Sequence, residues 1–321
     1  MTDYENVIEN DGEEINRKGR RAYNILGIGC VEFLVLGMFV MPILLPNILI
    51  ALFPGIADSF ILGVPLTYAG MYLVAFPIML LIVKRLPDHK SEVCPKKKLG
   101  VLTILAYYAF SYFIMTGIIT VVSLIETHII GNSGTTTAYD IVNSGTPQWV
   151  FLIAGCIIAP IMEEIIFRLI PYNKVSGYGT GLYIVWTGIL FGLLHLNFGQ
   201  ALYAMGLGFF FAKVMRDTGN VKYTMLLHVM LNLSAGTGIG GYIIASENEM
   251  AMTIYTVYLN ILMLIGLVAG IVMFVKSRKN KSTVQAENPD KVMTDKKRAF
   301  LNPGTLIYCV ICIGFIIYMF F

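Results

Sequence analysis

The sequence predicts an all-α polytopic transmembrane helix bundle of about eight to nine spans. Of its 321 residues, 56% are hydrophobic and only 13% are charged, and the mean hydropathy is +0.72. An ordinary soluble domain is about 25% charged. So few charges cannot cover so much apolar surface in water, which indicates an integral membrane protein.

The apolar runs define the predicted spans. A bilayer core about 30 Å thick needs roughly 20 apolar residues in a helix. Nine runs meet this rule approximately, namely 24–45, 61–83, 99–125, 149–170, 181–198, 200–216, 223–245, 252–275 and 305–321. The first run is longer than the apolar region of a signal peptide, and we therefore expect an uncleaved first span.

Basic residues predict the orientation of these spans. Lysine and arginine lie before the first span and in every second connection after it, whereas the connections 126–148 and 246–251 contain neither. Cytoplasmic loops carry the excess of positive charge. The pattern places the N-terminus in the cytoplasm, and the absence of eukaryotic sorting signals favours a bacterial plasma membrane.

The predicted spans and the basic segments divide the chain into four parts. We expect a cytoplasmic tail at 1–23, N-terminal transmembrane helices at 24–148, a catalytic core at 149–245 and C-terminal helices at 246–321. The last part includes a basic cytoplasmic linker, 276–304, whose polar composition is typical of a flexible segment. Its lysines are expected to set topology or meet anionic lipid, and no nucleic acid partner is expected.

The cysteines do not indicate a disulfide framework or a zinc site. Four of the five lie in apolar runs, and the C-x-x-C of the last span has no second pair to complete a metal site. We expect them to be small apolar packing residues. They are Cys30, Cys94, Cys156, Cys309 and Cys312.

Ionisable residues inside the spans are few and clustered. A charge at the bilayer centre costs roughly 2.5–3.5 kcal/mol even on the lenient insertion scale, so such residues are expected to be paired, to face a cavity or to do chemistry. Apart from Glu32, which we expect to cap or pair within the bundle, and the basic residues Lys213 and Arg216 at the end of the sixth span, they lie on the fourth, fifth and seventh spans. These three spans are the predicted location of an active site.

The fourth span carries two adjacent glutamates. Glu163 and Glu164 project about 100° apart on a helix, and Arg168 lies four residues beyond Glu164 on the same face. An ion pair between Glu164 and Arg168 is expected, either to orient a site or only to lock helices together. Glu163 has no local partner, and a carboxylate in an apolar cavity suits a general base acting on water.

The fifth and seventh spans each carry a pair of residues spaced by four. Phe191 is expected to pack on the ring of His195, while His228 and Asn232 share one helix face. Each pair alone is compatible with ordinary hydrogen bonding between membrane helices. Together with the glutamates, they supply a base, two imidazoles and an amide donor, which is a complete set for hydrolysis.

These residues also form three motifs that resemble those of the CPBP family, the CAAX-protease and bacteriocin-processing intramembrane proteins, also called the Abi family. The motifs are E-E-x-x-x-R from Glu163, F-x-x-x-H from Phe191 and H-x-x-x-N from His228. The resemblance covers roughly residues 149–240. Many family members have glycine after the motif arginine, where this chain has Leu169, and this departure bears on substrate class more than on the catalytic set.

The resemblance implies a role for each motif residue. Glu163 would activate water with the help of His195, and His228 and Asn232 would stabilise the oxyanion. Glu164 would orient the site through Arg168, with Phe191 in support. Eukaryotic members of the family remove the last three residues of prenylated proteins, so the implied substrate is a hydrophobic or lipidated peptide in the lipid bilayer.

No cofactor is assigned from the sequence. Glu163, His195 and His228 could hold zinc with an open fourth position, but the chain lacks H-E-x-x-H and Asn232 is a poor zinc ligand. Two other functions stay open. One is a non-enzymatic membrane scaffold or bacteriocin immunity protein, and the other is an ion or proton transporter, since buried carboxylates and histidines also form relays.

Overall fold

The computed structural model describes residues 2–91, 97–130, 147–235, 238–279 and 292–320. All regular elements in these ranges are helices, which confirms the predicted all-α class. The longer helices are α1 (Gly12–Leu52), α2 (Phe60–Val83), α3 (Val101–His128), α4 (Gln148–Tyr178), α5 (Thr180–Leu194), α6 (Phe198–Thr218), α7 (Val221–Ser234), α8 (Ile239–Ala245), α9 (Glu249–Arg278) and α10 (Pro303–Met319).

Six of these helices are long and apolar enough to cross a membrane, namely α1, α2, α3, α4, α6 and α9. Every one of the nine predicted spans overlaps a helix, but the count of nine stays a prediction. The predicted fifth span is shorter than expected, because α5 has 15 residues and is about 22 Å long at 1.5 Å per residue. The predicted seventh span is two helices, since α7 ends at Ser234 and α8 begins at Ile239.

The N-terminal helix shows no break at the predicted start of the first span. Helical structure begins at Thr2, runs past residue 24 and continues as a π-helical segment, Phe33–Val40, before the α-helix Met41–Leu52. The predicted tail at 1–23 is therefore continuous with the first span over its described residues. The boundary between them stays a prediction.

Two apolar clusters form the core, and α6 belongs to both. The larger cluster joins α1, α2, α4, α5, α6 and α10, around fully buried residues such as Trp186 and Phe191. The smaller one joins α3, α6, α7 and α9 around Phe211 and Leu231. The fourth, fifth and seventh predicted spans, α4, α5 and α7, thus meet where the two clusters share α6.

Segments at the predicted cytoplasmic ends of the spans contact one another. The Lys174 ammonium at the end of α4 lies 2.8 Å from the carboxylate of Asp88, which follows α2. The backbone N–H of Leu99, just before α3, donates to the hydroxyl of Tyr223 at the start of α7 over 3.1 Å. The basic connections therefore gather at one end of the bundle, as the charge pattern requires.

The described part of the predicted basic linker is packed, and it differs here from the flexible segment that we expected. The Arg298 guanidinium makes two bonds, of 2.9 and 3.0 Å, to the carboxylate of Glu13. Asn16 donates to Thr294 over 2.8 Å, and Met293 is buried against Gly19. Glu13 and Asp295 raise the pKa of Arg298 above its ordinary value by hydrogen bonding to it. The polar composition of the linker predicted a flexible segment, because composition alone cannot show that residues of α1 hydrogen-bond to it. Residues 280–291 of the linker lie outside the described part of the chain.

The helices α5 and α6 form a tight hairpin. A Cβ added to Gly192 would come within 2.5 Å of the backbone oxygen of Ala201, and one added to Gly188 would overlap the ring of Phe209. Small residues at spacing G-x-x-x-G allow such close backbone approach in membranes. The hairpin turns at His195–Asn197, where Leu196 has a φ of +54°, a left-handed conformation that is uncommon for a leucine.

Glu32 is not paired in the way that we expected. Both of its carboxylate oxygens are buried, and neither has a hydrogen-bond partner among the described residues. The expected pairing within the bundle is therefore wrong for the described part of the chain. Cys30, Cys309 and Cys312 form no disulfide, and Cys94 lies outside the described residues.

Candidate active site

The two motif glutamates lie on a short α-helical segment of α4 between two π-helical ones. Ala159–Glu164 is α-helical, whereas Phe151–Ile158 and Ile165–Leu169 are π-helical. Segments of π-helix inside α-helices occur frequently at functional sites. The local geometry places Glu164 wholly inside the bundle, while Glu163 keeps 17% of its side chain exposed.

Glu164 is fully buried, forms an ion pair with Arg168 and hydrogen-bonds to His228. Its Oε1 lies 3.3 Å from Nη1 of Arg168 and 3.0 Å from Nδ1 of His228, and neither Glu164 nor Arg168 has any exposed side-chain surface. The pairing of Glu164 with Arg168 predicted from their spacing is confirmed. Breaking such a buried pair by removing one partner is strongly destabilising, since it leaves the other charge uncompensated.

Aromatic rings enclose this ion pair. The Arg168 guanidinium carbon lies 3.9 Å from the centre of the Phe191 ring and 5.7 Å from that of Phe211, which are distances for cation–π attraction. The same two rings lie 5.7 and 5.5 Å from the ring of His228. Together with Glu164 these residues define the sealed half of the site: Glu164, Arg168, Phe191, Phe211 and the Nδ1 edge of His228.

His228 bridges the two glutamates. A carboxylate can only accept a hydrogen bond, so Nδ1 of His228 carries a hydrogen and donates it to Glu164 over 3.0 Å. The other ring nitrogen, Nε2, lies 3.7 Å from Oε2 of Glu163. The two glutamates therefore meet opposite edges of one imidazole, a relation that local spacing on α4 could not reveal.

His195 faces Glu163 from the end of α5. Its Nδ1 lies 3.0 Å from the backbone oxygen of Phe191, which is an acceptor, so Nδ1 carries the hydrogen and Nε2 of the neutral ring keeps its lone pair. The ring of Phe191 lies 5.1 Å away and perpendicular, which confirms the predicted packing. Glu163 and His228 are both close enough to His195 for direct charge–charge interaction.

Asn232 reaches α4 one turn beyond His228. Its Nδ2 donates to the backbone oxygen of Gly155 over 3.2 Å, and its own backbone oxygen accepts from the thiol of Cys156. A carboxamide nitrogen has two hydrogens, so one remains for another acceptor. We define the open half of the site as Glu163, His195, Asn232 and the Nε2 edge of His228.

Three tyrosines border the open half and were missed by the sequence reasoning. Tyr68 and Tyr72 on α2 and Tyr203 on α6 each interact electrostatically with Glu163. None belongs to a motif. Only the spacing of four between Tyr68 and Tyr72 hints at a shared face, and aromatic residues are too common in membrane helices for that to indicate a site.

An apolar groove of about 450 Å³ lies between α2 and α4. Tyr68 and Tyr72 line its inner end, and Phe60 and Trp149 line the end remote from Lys174. Both tyrosines also interact electrostatically with Glu163, so they lie between the groove and the open half of the site. It offers apolar surface to a chain that approaches Glu163 from the lipid.

The residues considered for a metal do not form a ligand cluster. In the described ranges, no group of three His, Cys, Asp or Glu side chains is arranged to hold a metal ion. Glu163, His195 and His228 surround a common space, but Nδ1 of His228 is bonded to Glu164 and Nδ1 of His195 to a backbone oxygen. No step below depends on a metal.

Comparison with known proteins points to a class of membrane peptidase. Residues 145–234 match the family model for type II CAAX prenyl endopeptidase, Rce1-like. This segment is less than a third of the 321 residues, and it contains all three motifs. The resemblance inferred from those motifs is therefore confirmed over this part of the chain.

One curated relative extends the similarity. The chain is 25% identical over 169 residues to a Bacillus subtilis (strain 168) protein named "Putative membrane peptidase YdiL". The alignment covers 50% of this chain and 66% of the relative, so the chain spans slightly less than two thirds of that protein's length. No solved structure matches the chain significantly.

Proposed function

We propose that the protein is an intramembrane endopeptidase that hydrolyses a hydrophobic or lipidated peptide by means of a glutamate-activated water. The observation that carries the proposal is the meeting of Glu163, His195 and His228 from three helices around one partly open space. The similarity of residues 145–234 to a prenyl endopeptidase family model supports it.

In the proposed mechanism, a water molecule lies between Glu163 and His195. The Glu163 carboxylate takes a proton as the water oxygen attacks the peptide carbonyl carbon, and the neutral His195 accepts the second hydrogen bond of the water through Nε2. The C–N bond then breaks, the proton passes from Glu163 to the leaving nitrogen, and the products are a carboxylic acid and an amine. General base catalysis of this kind contributes roughly 10²–10⁴-fold.

The proposed oxyanion site consists of His228 and Asn232. The second N–H of the Asn232 amide is available next to α4, and Nε2 of His228 can donate to the tetrahedral oxygen when the ring carries a hydrogen on both nitrogens. Donors aimed at a developing oxyanion act most strongly where water is excluded. Glu164 and Arg168 hold the His228 ring in place, since Nδ1 is fixed by a 3.0 Å bond.

The nature of the substrate follows from the groove. Its lining is apolar and it opens between two membrane helices, which favours a peptide segment or lipid chain over a soluble peptide. Glu163 lies eleven residues before Lys174, about 17 Å along the helix, so the scissile bond would lie within the bilayer. We further propose a bacterial plasma membrane and a cytoplasmic N-terminus, which the basic end of the bundle supports.

A cleavage assay on reconstituted protein tests this proposal. Membrane-anchored peptides are incubated with wild type, Glu163→Gln, His195→Ala and His228→Ala, and products are identified by mass spectrometry. Glu32→Gln is the matched control, since Glu32 is another glutamate of the membrane helices and should keep full turnover.

We expect all three site variants to lose turnover while they remain monodisperse. Cleavage by Glu163→Gln at the wild-type rate would remove the proposed base. A folded wild type that cleaves nothing, and whose Glu163→Gln variant still loses binding to a partner protein, would favour the scaffold or immunity function. A chelator titration of the wild type tests for a metal, and we expect turnover to persist.

A further inference from the structure

We propose that Tyr72 is a substrate-binding residue whose hydroxyl donates a hydrogen bond to a backbone carbonyl of the bound peptide. The inference rests on the proposed peptidase function and deepens it, because it names the group that holds the peptide on the side of the site opposite the motif helices. Tyr72 lies on α2, outside residues 145–234 that match the family model.

The depth of Tyr72 matches that of Glu163. Tyr72 lies twelve residues before Lys84, and Glu163 lies eleven residues before Lys174, so both are about 17–18 Å from the basic end of their helices. The basic ends of these two helices are in contact, because Nζ of Lys174 donates to the backbone oxygen of Leu86 over 2.7 Å. Tyr72 and Glu163 thus lie at similar depths on neighbouring helices, consistent with their electrostatic interaction.

The hydroxyl of Tyr72 has no partner within the described protein. It is buried, and no described residue donates to it or accepts from it. A buried hydroxyl without a hydrogen bond costs free energy, so this group requires a ligand or water. Its position at the inner end of the groove makes a peptide in that groove the partner that its geometry favours.

The ring of Tyr72 is held in one orientation. Tyr68 stacks on it with ring centres 5.8 Å apart and planes 15° apart, and Phe33 of α1 stacks at 6.4 Å and 26°. The residue lies in the π-helical segment Gly70–Ala75, opposite the π-helical segment Phe33–Val40 of α1. A ring fixed between two others presents its hydroxyl in a constant direction, which reduces the ordering cost of binding.

The chemistry of the phenol fits this role. A tyrosine hydroxyl is un-ionised near neutral pH and can donate one hydrogen bond, and peptide carbonyls are the acceptors that an apolar peptide always offers. The negative charge of the Glu163 carboxylate also favours an orientation in which the Tyr72 hydroxyl points its hydrogen into the space between the two side chains. Tyr72 therefore holds the peptide while Glu163 acts on the water.

The experiment separates binding from turnover. A fluorescein-labelled transmembrane peptide rich in Leu and Ala is titrated in nanodiscs against Glu163→Gln and against Glu163→Gln combined with Tyr72→Phe. KM and kcat are measured for Tyr72→Phe alone. We expect the dissociation constant and KM to rise roughly three- to tenfold, as for the loss of one neutral hydrogen bond, with kcat within about twofold of wild type.

Tyr108→Phe is the matched control. The Tyr108 hydroxyl bonds those of Tyr258, over 2.7 Å, and Ser234, and Tyr108 does not line the groove, so its loss should lower the thermal unfolding temperature without changing KM. An unchanged dissociation constant in the Tyr72 variant, or no binding of the peptide at all, would overturn the inference. Binding that depends on Tyr72 in a wild type without turnover would support the inference and reject the peptidase function.

Discussion

The sealed half and the open half of the site differ although Glu163 and Glu164 are adjacent in the chain. In the sealed half, Glu164 has no exposed surface, forms an ion pair with Arg168 at 3.3 Å and hydrogen-bonds to His228 at 3.0 Å. In the open half, Glu163 keeps 17% exposure, and Oε2 of Glu163 lies 3.7 Å from Nε2 of His228. One carboxylate is committed to protein partners, and the other is available to water.

This difference shows how a single helix can supply both a structural and a reactive carboxylate. Two adjacent residues on a helix face different directions, so one reaches the core while the other reaches a cavity. His228 links the halves because each of its ring nitrogens meets one glutamate. Variants of the two halves should therefore affect different quantities, turnover on the open side and stability on the sealed side.

After the loss of Glu163 itself, the largest effect is expected from His195→Ala in the open half. Loss of the imidazole that orients the water should lower turnover roughly 10²–10⁴-fold, with little change in unfolding temperature. His128→Ala is the matched control, because Nδ1 of His128 bonds the backbone oxygen of Leu124 over 3.1 Å, as Nδ1 of His195 bonds that of Phe191 over 3.0 Å. Equal turnover in the two variants would contradict a role for His195 in hydrolysis.

Arg168→Met tests the sealed half. The change leaves the Glu164 carboxylate buried without its cation, which costs roughly 3–5 kcal/mol of unfolding free energy. Combining it with Glu164→Gln should recover most of the loss, because the uncompensated charge is then gone. Unfolding in detergent by circular dichroism provides the measurement, and a double variant no more stable than Arg168→Met would show that the pair is not the source of the stability.

Asn232→Ala tests the oxyanion role in the open half. Removing one donor from an oxyanion site costs about 10²–10³-fold in kcat, with KM largely unchanged. Asn260→Ala is the matched control, since Asn260 also bonds a backbone oxygen of a membrane helix, that of Thr256 at 2.8 Å. A loss confined to stability in Asn232→Ala would indicate that its bond to Gly155 is its whole function.

A smaller effect on stability than that of Arg168→Met is expected from Gly192→Ala in the α5–α6 hairpin. The added methyl group meets the backbone of Ala201 and should cost roughly 1–3 kcal/mol. The displacement of α5 also moves His195, so turnover should fall as well. Gly181→Ala is the control on the same helix, since nothing lies within 4 Å of a Cβ there, and equal effects of the two changes would contradict the close packing.

The sequence allowed the prediction of those features that depend on spacing within one helix. The Glu164–Arg168 pair and the packing of Phe191 on His195 follow from positions four residues apart. The contact of His228 with both glutamates could not be predicted, because it depends on how α7 meets α4. The only indication in the sequence that those helices converge was that the three motifs together supply the groups needed for hydrolysis.

Features that depend on tertiary contacts were either not predicted or predicted wrongly. The packed residues 292–302 were expected to be flexible, because their partners Glu13 and Asn16 are 285 and 278 positions away. Glu32 was expected to have a partner and has none in the described chain. Tyr72 resembles any aromatic residue of a membrane helix until the structure brings it opposite Glu163.

The most direct test of the account measures turnover and thermal unfolding of Glu163→Gln and Glu164→Gln side by side in the same bilayer preparation. We predict that Glu163→Gln abolishes turnover and unfolds near the wild-type temperature, whereas Glu164→Gln unfolds at a clearly lower temperature. Loss of stability in Glu163→Gln together with retained turnover would contradict the division between the open and sealed halves.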